Sequence, residues 1–182
     1  MKNLDRTGWT LRGLPAGTES VAAHSFGVTV TAMMLSDELA ARGTVVDMER
    51  LLRMALLHDW SEARIGDLPK TATDYFGANT RKRAELVAFD DIVGGFDAGK
   101  TPYRQLYEDY EQRATLEAQL VKAADVIDLL VQVLAFERGG ARGLDEFWEV
   151  ANEGDFGLHG VAQEVVKELL QSLLAARAEI DK

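Results

Sequence analysis

The segment MALLHDWSEARIGDLPK, residues 54–70, places several acid and imidazole groups in an otherwise apolar helical pattern. His58 and Asp59 are adjacent, Glu62 follows about one helical turn later, and Asp67 lies in a Gly-Asp-Leu-Pro turn. On a helix each residue advances by about 100°, so His58 and Glu62 would project from nearly the same side. An imidazole nitrogen and a carboxylate oxygen form a donor set that divalent metals of intermediate hardness accept.

The same segment is compatible with a purely structural interpretation. His58 would then be a hydrogen-bonded core histidine, and Asp59 and Glu62 would be solvated acids. A His-Asp dipeptide taken alone is a weak metal signal and favours this structural interpretation.

Two further helical patterns each place a potential metal ligand among apolar residues. His24 occurs in ESVAAHSFGV, where an unpartnered imidazole would be costly to bury, although His24 alone is typical of a satisfied core histidine. Asp125 occurs in LVKAADVIDLL, where an ion pair with Lys122 at i−3 is the simpler explanation. A single ion shared by four residues would explain all three helices at once: His24, His58, Asp59 and Asp125.

Several motifs in this chain resemble those of the HD-domain metal-dependent phosphohydrolases. The central one is HDxxExxxGDLP, present as HDWSEARIGDLP. The stretches RTGWTLRG, ESVAAHS and LVKAAD make the chain similar to the 5'-deoxynucleotidase branch of that superfamily, over roughly residues 5 to 135. The resemblance implies an all-α HD-domain bundle that releases phosphate from deoxyribonucleoside 5'-monophosphates.

The resemblance also implies roles for individual residues. Glu62 falls on the catalytic acid of the family, Asp67 on a second acid near the scissile phosphate, and Trp9 on the tryptophan that faces the sugar. The family's metal positions, which would hold one Mn²⁺, Co²⁺ or Mg²⁺ ion, correspond to His24, His58, Asp59 and Asp125.

Two positions depart from the family pattern and bear on substrate preference. Ala23 precedes His24, where relatives often have an acidic residue. Gly8 precedes Trp9, where the bacterial enzyme of the 5'-deoxynucleotidase branch has an arginine. The phosphate would then be neutralised by other cations, for which the candidates are Arg6, Arg12 and Lys122.

Alternative functions stay open at this point. The chain could hydrolyse another phosphoester, such as a nucleoside triphosphate, a cyclic nucleotide or an alarmone. It could also be a non-catalytic nucleotide-binding HD domain, although Glu62 and Asp67 argue against that. A ferritin-like di-iron bundle is excluded, because the sequence has no Glu-x-x-His pair.

Hydrophobic periodicity predicts an all-α fold in one domain, residues 1–182, with no convincing strand. Ser20 and Asp47 are predicted N-caps, and Gly139 and Gly140 close the longest helix. The apolar residues of the first helix cover most of its circumference, as in a central, buried helix. The predicted helices cover about 21–42, 48–64, 79–94, 102–113, 115–138 and 160–180.

Segment 66–82 is polar and contains glycines, which is typical of either a lid over the pocket or an ordinary surface loop. Tyr75 and Phe76 in this segment could stack on a base or pack locally. Trp148 and His159 lie outside the matched motifs and are interpreted as structural.

Composition limits the partners and the compartment. The 182 residues carry a formal charge of −10, which disfavours nucleic-acid polymers but not a mononucleotide held by a metal. The absence of cysteine, of a signal-peptide core and of any apolar run near 20 residues predicts a cytoplasmic protein without a membrane span. Apolar stripes and the family resemblance favour a homodimer.

Overall fold

The computed structural model describes residues 1–97, 100–153 and 155–180, with no side-chain description for Asn152 and Glu153. Within these ranges the secondary structure is helical, apart from an isolated bridge between Asp5 and Ser20. The all-α prediction is confirmed. The helices are α1 (Thr7–Thr10), α2 (Val21–Ala41), α3 (Met48–Leu57), α4 (Glu62–Ile65), α5 (Lys70–Phe76), α6 (Ala78–Val93), α7 (Lys100–Gln112), α8 (Leu116–Arg138), α9 (Asp145–Glu153) and α10 (Gly160–Ala178).

The long helices α2 and α8 pack against each other at the centre of the fold. The hydroxyl of Ser20 accepts the N–H of Ala23 at the start of α2, and the hydroxyl of Thr115 accepts the N–H of Ala118 at the start of α8. These caps satisfy backbone donors that would otherwise lack partners. The main hydrophobic core forms where α3, α7, α9 and α10 pack around this pair.

The prediction that α2 is buried around most of its circumference is wrong for one face. Val28, Leu35 and Leu39 are buried, but Phe26 is 70% exposed and Met34 is 64% exposed. The reason is that α3, α8 and α10 cover the other faces of α2, and no element of the described chain packs over this one.

The predicted helix over 48–64 is interrupted. It begins after the Asp47 cap, as expected, but α3 ends at Leu57 and α4 begins only at Glu62. The imidazole of His58 bonds to the carbonyl of Ala55, 2.7 Å away, and thereby occupies an acceptor of the last helical turn. Between α3 and α4 the backbone forms turns that are closed by i→i−3 hydrogen bonds, such as the one from the Glu62 N–H to the Asp59 carbonyl oxygen at 3.1 Å.

Segment 66–82 is not the continuous loop that its composition suggested. It contains all of α5 and the first turn of α6, and Gly77 separates the two helices with a φ of 87°. Helices α1 and α9 were also not predicted, because both are short and their sequences are mostly polar. By contrast, the predicted bounds of α6, α7 and α10 agree with the structure within about two residues.

None of the helices among the described residues combines the length and hydrophobicity needed to cross a bilayer.

Candidate metal centre

Three helices bring two imidazoles and two carboxylates to one point. His24 comes from the first turns of α2, His58 and Asp59 from the turn directly after α3, and Asp125 from the middle of α8. His24 Nε2 lies 3.1 Å from Asp125 Oδ1 and 3.6 Å from Asp59 Oδ2. His58 Nε2 lies 3.1 Å from the same Asp59 oxygen. The structure therefore brings together the four residues that the sequence suggested as metal ligands.

Only one of the two ring nitrogens of His58 has a hydrogen-bond partner among the described residues. Nδ1 donates to the carbonyl oxygen of Ala55, so the neutral ring carries a lone pair on Nε2. This Nε2 is buried and has no hydrogen-bond partner among the described residues. It faces the Asp59 carboxylate, which is also an acceptor, so with a neutral His58 ring two lone pairs point into the same space. A cation satisfies both groups, and the donor set fits a divalent metal.

His24 has both ring nitrogens engaged with carboxylates. Nδ1 lies 2.8 Å from Asp128 Oδ2, and Nε2 points toward Asp125. Burial lowers the pKa of His24, but the hydrogen bonds with Asp125 and Asp128 outweigh it and raise the pKa to about 10 in the metal-free chain. A metal at this centre would replace the proton on Nε2, since a ligating imidazole nitrogen must be deprotonated.

The two candidate carboxylate ligands are held in their ionised form. Burial favours the neutral acid at Asp59, yet the positive charges that His58 and then His24 carry when protonated bring its pKa below the usual range. At Asp125 burial is likewise outweighed, chiefly by Lys122 and then by His24, so the pKa of Asp125 is also well below its usual range. Ionised carboxylates are the form that binds metal.

The helix ion pair proposed as the simpler explanation for Asp125 is present, but it uses only one oxygen. Lys122 Nζ lies 2.6 Å from Asp125 Oδ2, whereas Oδ1 faces His24. The pair is therefore compatible with a ligand role for the other oxygen.

Glu62 is a buried acid beside this centre. Glu62 is only 4% exposed, and its Oε2 has no hydrogen-bond partner among the described residues. Burial, followed by the charges of Asp59 and Asp67, raises the pKa of Glu62 to about 9. The predicted helix is broken here, and Glu62 follows Asp59 through an i,i+3 turn.

Asp67 ties the loop after α4 to α1. Its Oδ2 accepts the backbone N–H of Thr7 at 2.6 Å, and the hydroxyl of Thr7 donates to the Asp67 carbonyl at 2.7 Å. The preceding Gly66 has a φ of 81°, a conformation that favours glycine. These two hydrogen bonds hold Thr7 beside Asp67, and they thereby restrict the position of the neighbouring Arg6.

The two candidate phosphate-binding arginines have different surroundings. Arg6 is largely buried, and its Nη1 lies 3.5 Å from Asp59 Oδ2. Arg12 is paired with the exposed Glu146 and lies over the ring of Phe147 at the edge of the cavity. Arg6 is therefore the one close to the metal centre.

Trp9 forms part of both the core and the cavity wall. It is only 2% exposed, and its ring packs against Phe136 and Phe147 at centroid distances of 5.1 and 4.9 Å. Its Nε1 donates to Glu19 Oε2 at 2.5 Å. The indole is therefore held in one orientation.

Two adjoining cavities meet at the centre. One, of about 500 Å³, is bordered by Arg6, Trp9 and Asp67, and the other, of about 250 Å³, by His58, Tyr107 and Tyr110. The residues common to both walls are Asp59, Glu62, Arg81, Lys122 and Asp125. The carboxylate cluster thus lies between the two cavities.

Two aromatic residues predicted as possible base-stacking groups do not border these cavities. Tyr75 is 93% exposed, and Phe76 is also exposed on α5. Of the residues interpreted as structural, Trp148 is buried and donates to Glu137, while His159 is exposed before α10.

Three residues near the centre were missed by the sequence interpretation: Glu19, Arg81 and Asp128. Asp128 offered a signal, since it is a second acid in the apolar run DVIDLL, one turn after Asp125. Arg81 offered none, because it belongs to an ordinary charged helix and forms an i,i+4 pair with Glu85.

The HD-domain family model matches residues 1–153 of this chain. The chain belongs to the HD-domain family. Among curated relatives, the 5'-deoxynucleotidase HDDC2 of Danio rerio is 31% identical over 159 residues, covering 86% of this chain and 74% of that protein. The 5'-deoxynucleotidase YGK1 of Saccharomyces cerevisiae is 27% identical and covers 97% of this chain and 78% of that protein. The predicted family resemblance is confirmed.

Solved structures share the fold of this chain. A conserved hypothetical protein from Pyrococcus furiosus superposes with a TM-score of 0.82 at 34% identity, covering 96% of this chain and 93% of that one. An HD-domain phosphohydrolase from Listeria innocua, 24% identical over 90% of this chain and 86% of that one, shows the shared fold with a TM-score of 0.68.

Proposed function

We propose that this HD-domain chain is a metal-dependent 5'-deoxynucleotidase that releases phosphate from deoxyribonucleoside 5'-monophosphates. The observation that carries the proposal is the buried Nε2 of His58, which has no hydrogen-bond partner among the described residues and faces Asp59 beside the buried Glu62. The names of the curated relatives from Danio rerio and Saccharomyces cerevisiae support the reaction and the substrate class.

The proposed ion is one Mn²⁺, Co²⁺ or Mg²⁺, held by His24, His58, Asp59 and Asp125. Two nitrogens and two carboxylates are a donor set suited to divalent ions of intermediate hardness. When bound, such an ion polarises a phosphoryl oxygen and makes water a better nucleophile near neutral pH.

Glu62 is the proposed proton donor. Hydrolysis of the ester leaves a nucleoside 5'-oxygen that needs a proton, and a carboxyl group that stays protonated at neutral pH can supply it. Burial and the neighbouring Asp59 and Asp67 keep Glu62 in that form in the metal-free chain. Asp67 is a proposed second acid near the phosphate, although its carboxylate also accepts the Thr7 N–H.

Arg6 and Lys122 are the proposed phosphate-binding cations. Both border the larger cavity beside the carboxylate cluster, and a guanidinium pairs well with phosphate oxygens. Arg12, also among the candidates, lies further out in its pair with Glu146. The sugar is proposed to lie against the wall that contains Trp9, whose fixed indole would limit the space beside the ribose 2' position.

A substrate panel tests this function. The metal-free protein is supplied with Mn²⁺, Co²⁺ or Mg²⁺, and phosphate release is measured from dNMPs, NMPs, dNTPs and cyclic nucleotides. We expect dNMPs to be the preferred substrates. We also expect Glu62→Gln to lose at least about 100-fold in kcat, whereas the exposed Glu164→Gln retains wild-type activity. Preferred release from a triphosphate or cyclic nucleotide would contradict the substrate assignment, and nucleotide binding without hydrolysis would indicate a non-catalytic HD domain.

A homodimeric assembly and a cytoplasmic location are also proposed. The exposed Phe26 and Met34 on α2 give an apolar surface that suits a homodimer. A cytoplasmic location fits a chain without cysteine, and the charge of −10 suits a mononucleotide substrate better than a nucleic-acid polymer.

A further inference from the structure

We propose that Asp128 is a positioning residue that fixes the His24 ring for metal binding, and that Gly27 provides the space Asp128 needs. This inference rests on the metal centre of the proposed function but not on the identity of the nucleotide. It assigns roles to two residues that lie outside the HD sequence motif.

The first observation is the contact between Asp128 and His24. Asp128 lies one helical turn after Asp125 on α8, and its Oδ2 lies 2.8 Å from His24 Nδ1. His24 is buried, so the ring has little access to water as an alternative partner. A carboxylate that accepts the Nδ1–H fixes the tautomer with Nε2 toward the centre, orients the ring and makes Nε2 a stronger ligand.

The second observation is the close approach of Asp128 to α2. A Cβ atom built on Gly27 would lie 2.0 Å from Asp128 Oδ1 and 2.7 Å from its Cγ. Gly27 is one turn after His24, so its missing side chain is the space into which the carboxylate fits. Any larger residue at position 27 must displace Asp128 from the His24 ring. The glycine on α2 and the aspartate on α8 are therefore both needed for the hydrogen bond between Asp128 and His24.

Co²⁺ binding to the purified, metal-free full chain tests the inference. We expect Asp128→Ala to weaken Co²⁺ affinity by about 10–100-fold in calorimetry and to change the visible absorption of the bound ion. Asp128→Asn should lose less than about tenfold, since its amide oxygen can still accept the Nδ1–H. The exposed Asp37→Ala and Asp37→Asn are matched controls that should bind Co²⁺ as the wild type does.

Gly27→Ala provides an independent variant that keeps the Asp128 carboxylate but moves it. We expect it to reproduce the affinity loss and the altered Co²⁺ spectrum of Asp128→Ala, and to add no further loss in the double variant. At saturating metal the kcat of a folded variant should return toward the wild-type value, because neither residue touches the substrate.

The outcomes separate this inference from the proposed function. A wild-type chain that binds no Co²⁺ contradicts the metal centre itself and the inference with it. A wild-type chain that binds Co²⁺ while a folded Asp128→Ala or Gly27→Ala binds it equally, with the same spectrum, overturns only the positioning role. Circular dichroism identifies the folded variants.

Discussion

At the scale of single residues, hydrogen-bond partners decide the chemistry of this HD domain. Nδ1 of His58 hydrogen-bonds to the Ala55 carbonyl, and the buried Nε2 has no hydrogen-bond partner among the described residues. His24 is committed through Nδ1 to Asp128. Both histidines thus present Nε2 to the same space, where Asp59 and Asp125 present carboxylate oxygens.

Part of this arrangement could be predicted from residue types alone. His24, His58, Asp59 and Asp125 are identifiable because polar residues are rare in such apolar helices and fit a family motif. Asp128 is a second acid in the same apolar run, but its contact with His24 also depends on the space beside Gly27, and space between two packed helices has no local sequence signal.

The raised pKa of Glu62 predicts a pH-dependent stability difference. The folded-state pKa of about 9 lies above the ordinary 4.5, so between these values the folded chain holds a proton that the unfolded chain has released. Stability of the metal-free protein should therefore fall as the pH rises through this range. Glu62→Gln removes the effect, and we expect it to stabilise the protein by up to about 5 kcal/mol at pH 8 but by only about 1 kcal/mol at pH 5.

Thermal unfolding in EDTA at the two pH values measures this difference. Glu164→Gln, at an exposed position, is the control for the loss of a carboxylate. An equal change in melting temperature at pH 5 and pH 8 would show that Glu62 is not protonated in the folded chain.

The two arginines are expected to differ in their effect on substrate binding. Arg6→Ala removes the cation close to the carboxylate cluster and should raise KM for a dNMP by roughly 10–100-fold. This range corresponds to the binding free energy of a charge-assisted hydrogen bond to phosphate. Arg12→Ala removes an exposed pair with Glu146 and should change KM by less than about threefold. Steady-state kinetics at saturating metal measures both, and equal effects would contradict the assignment of the phosphate to Arg6.

At the scale of helices, long elements were predictable and short ones were not. The bounds of α2 and α8 follow from Ser20, Thr115 and the glycines at 139–140, since caps and apolar periodicity are local properties. The break after Leu57 was not predicted, because it depends on the side-chain bond between His58 and Ala55. The short helices α1 and α5 have too few residues for a clear periodicity, and α9 is amphipathic but only nine residues long, so tertiary packing decides whether these helices form.

The contact between α1 and the loop at residue 67 is expected to support the substrate cavity. Thr7→Val keeps the shape of the side chain but removes the hydroxyl bond to the Asp67 carbonyl, and should cost about 1 kcal/mol of stability. Because Arg6 is adjacent, KM should rise more than kcat falls. Thr7→Ser keeps the hydroxyl and should behave as the wild type in melting and kinetic measurements. A loss in kcat with unchanged KM would contradict this role for the contact.

At the scale of the whole molecule, the proposed metal centre lies where α2, α3 and α8 meet, and these helices together contribute much of the core. Binding an ion only to the folded state stabilises it by about 2.7 kcal/mol when the free metal is 100 times Kd. For a chain of this size we expect the melting temperature to rise by roughly 5–10 °C on adding Mn²⁺ or Co²⁺. Differential scanning calorimetry of the metal-free protein measures this, and His24→Ala should remove the shift. A wild-type melting temperature unaffected by metal would contradict the centre.

The most direct test of a catalytic metal centre is phosphate release from a dNMP by two histidine variants. His58→Ala removes the unpartnered Nε2, whereas His159→Ala removes an exposed imidazole before α10. With Mn²⁺ or Co²⁺ restored, we predict that the wild type and His159→Ala release phosphate equally and that folded His58→Ala releases none above background. Wild-type release that persists in EDTA, or in His58→Ala, would contradict the account.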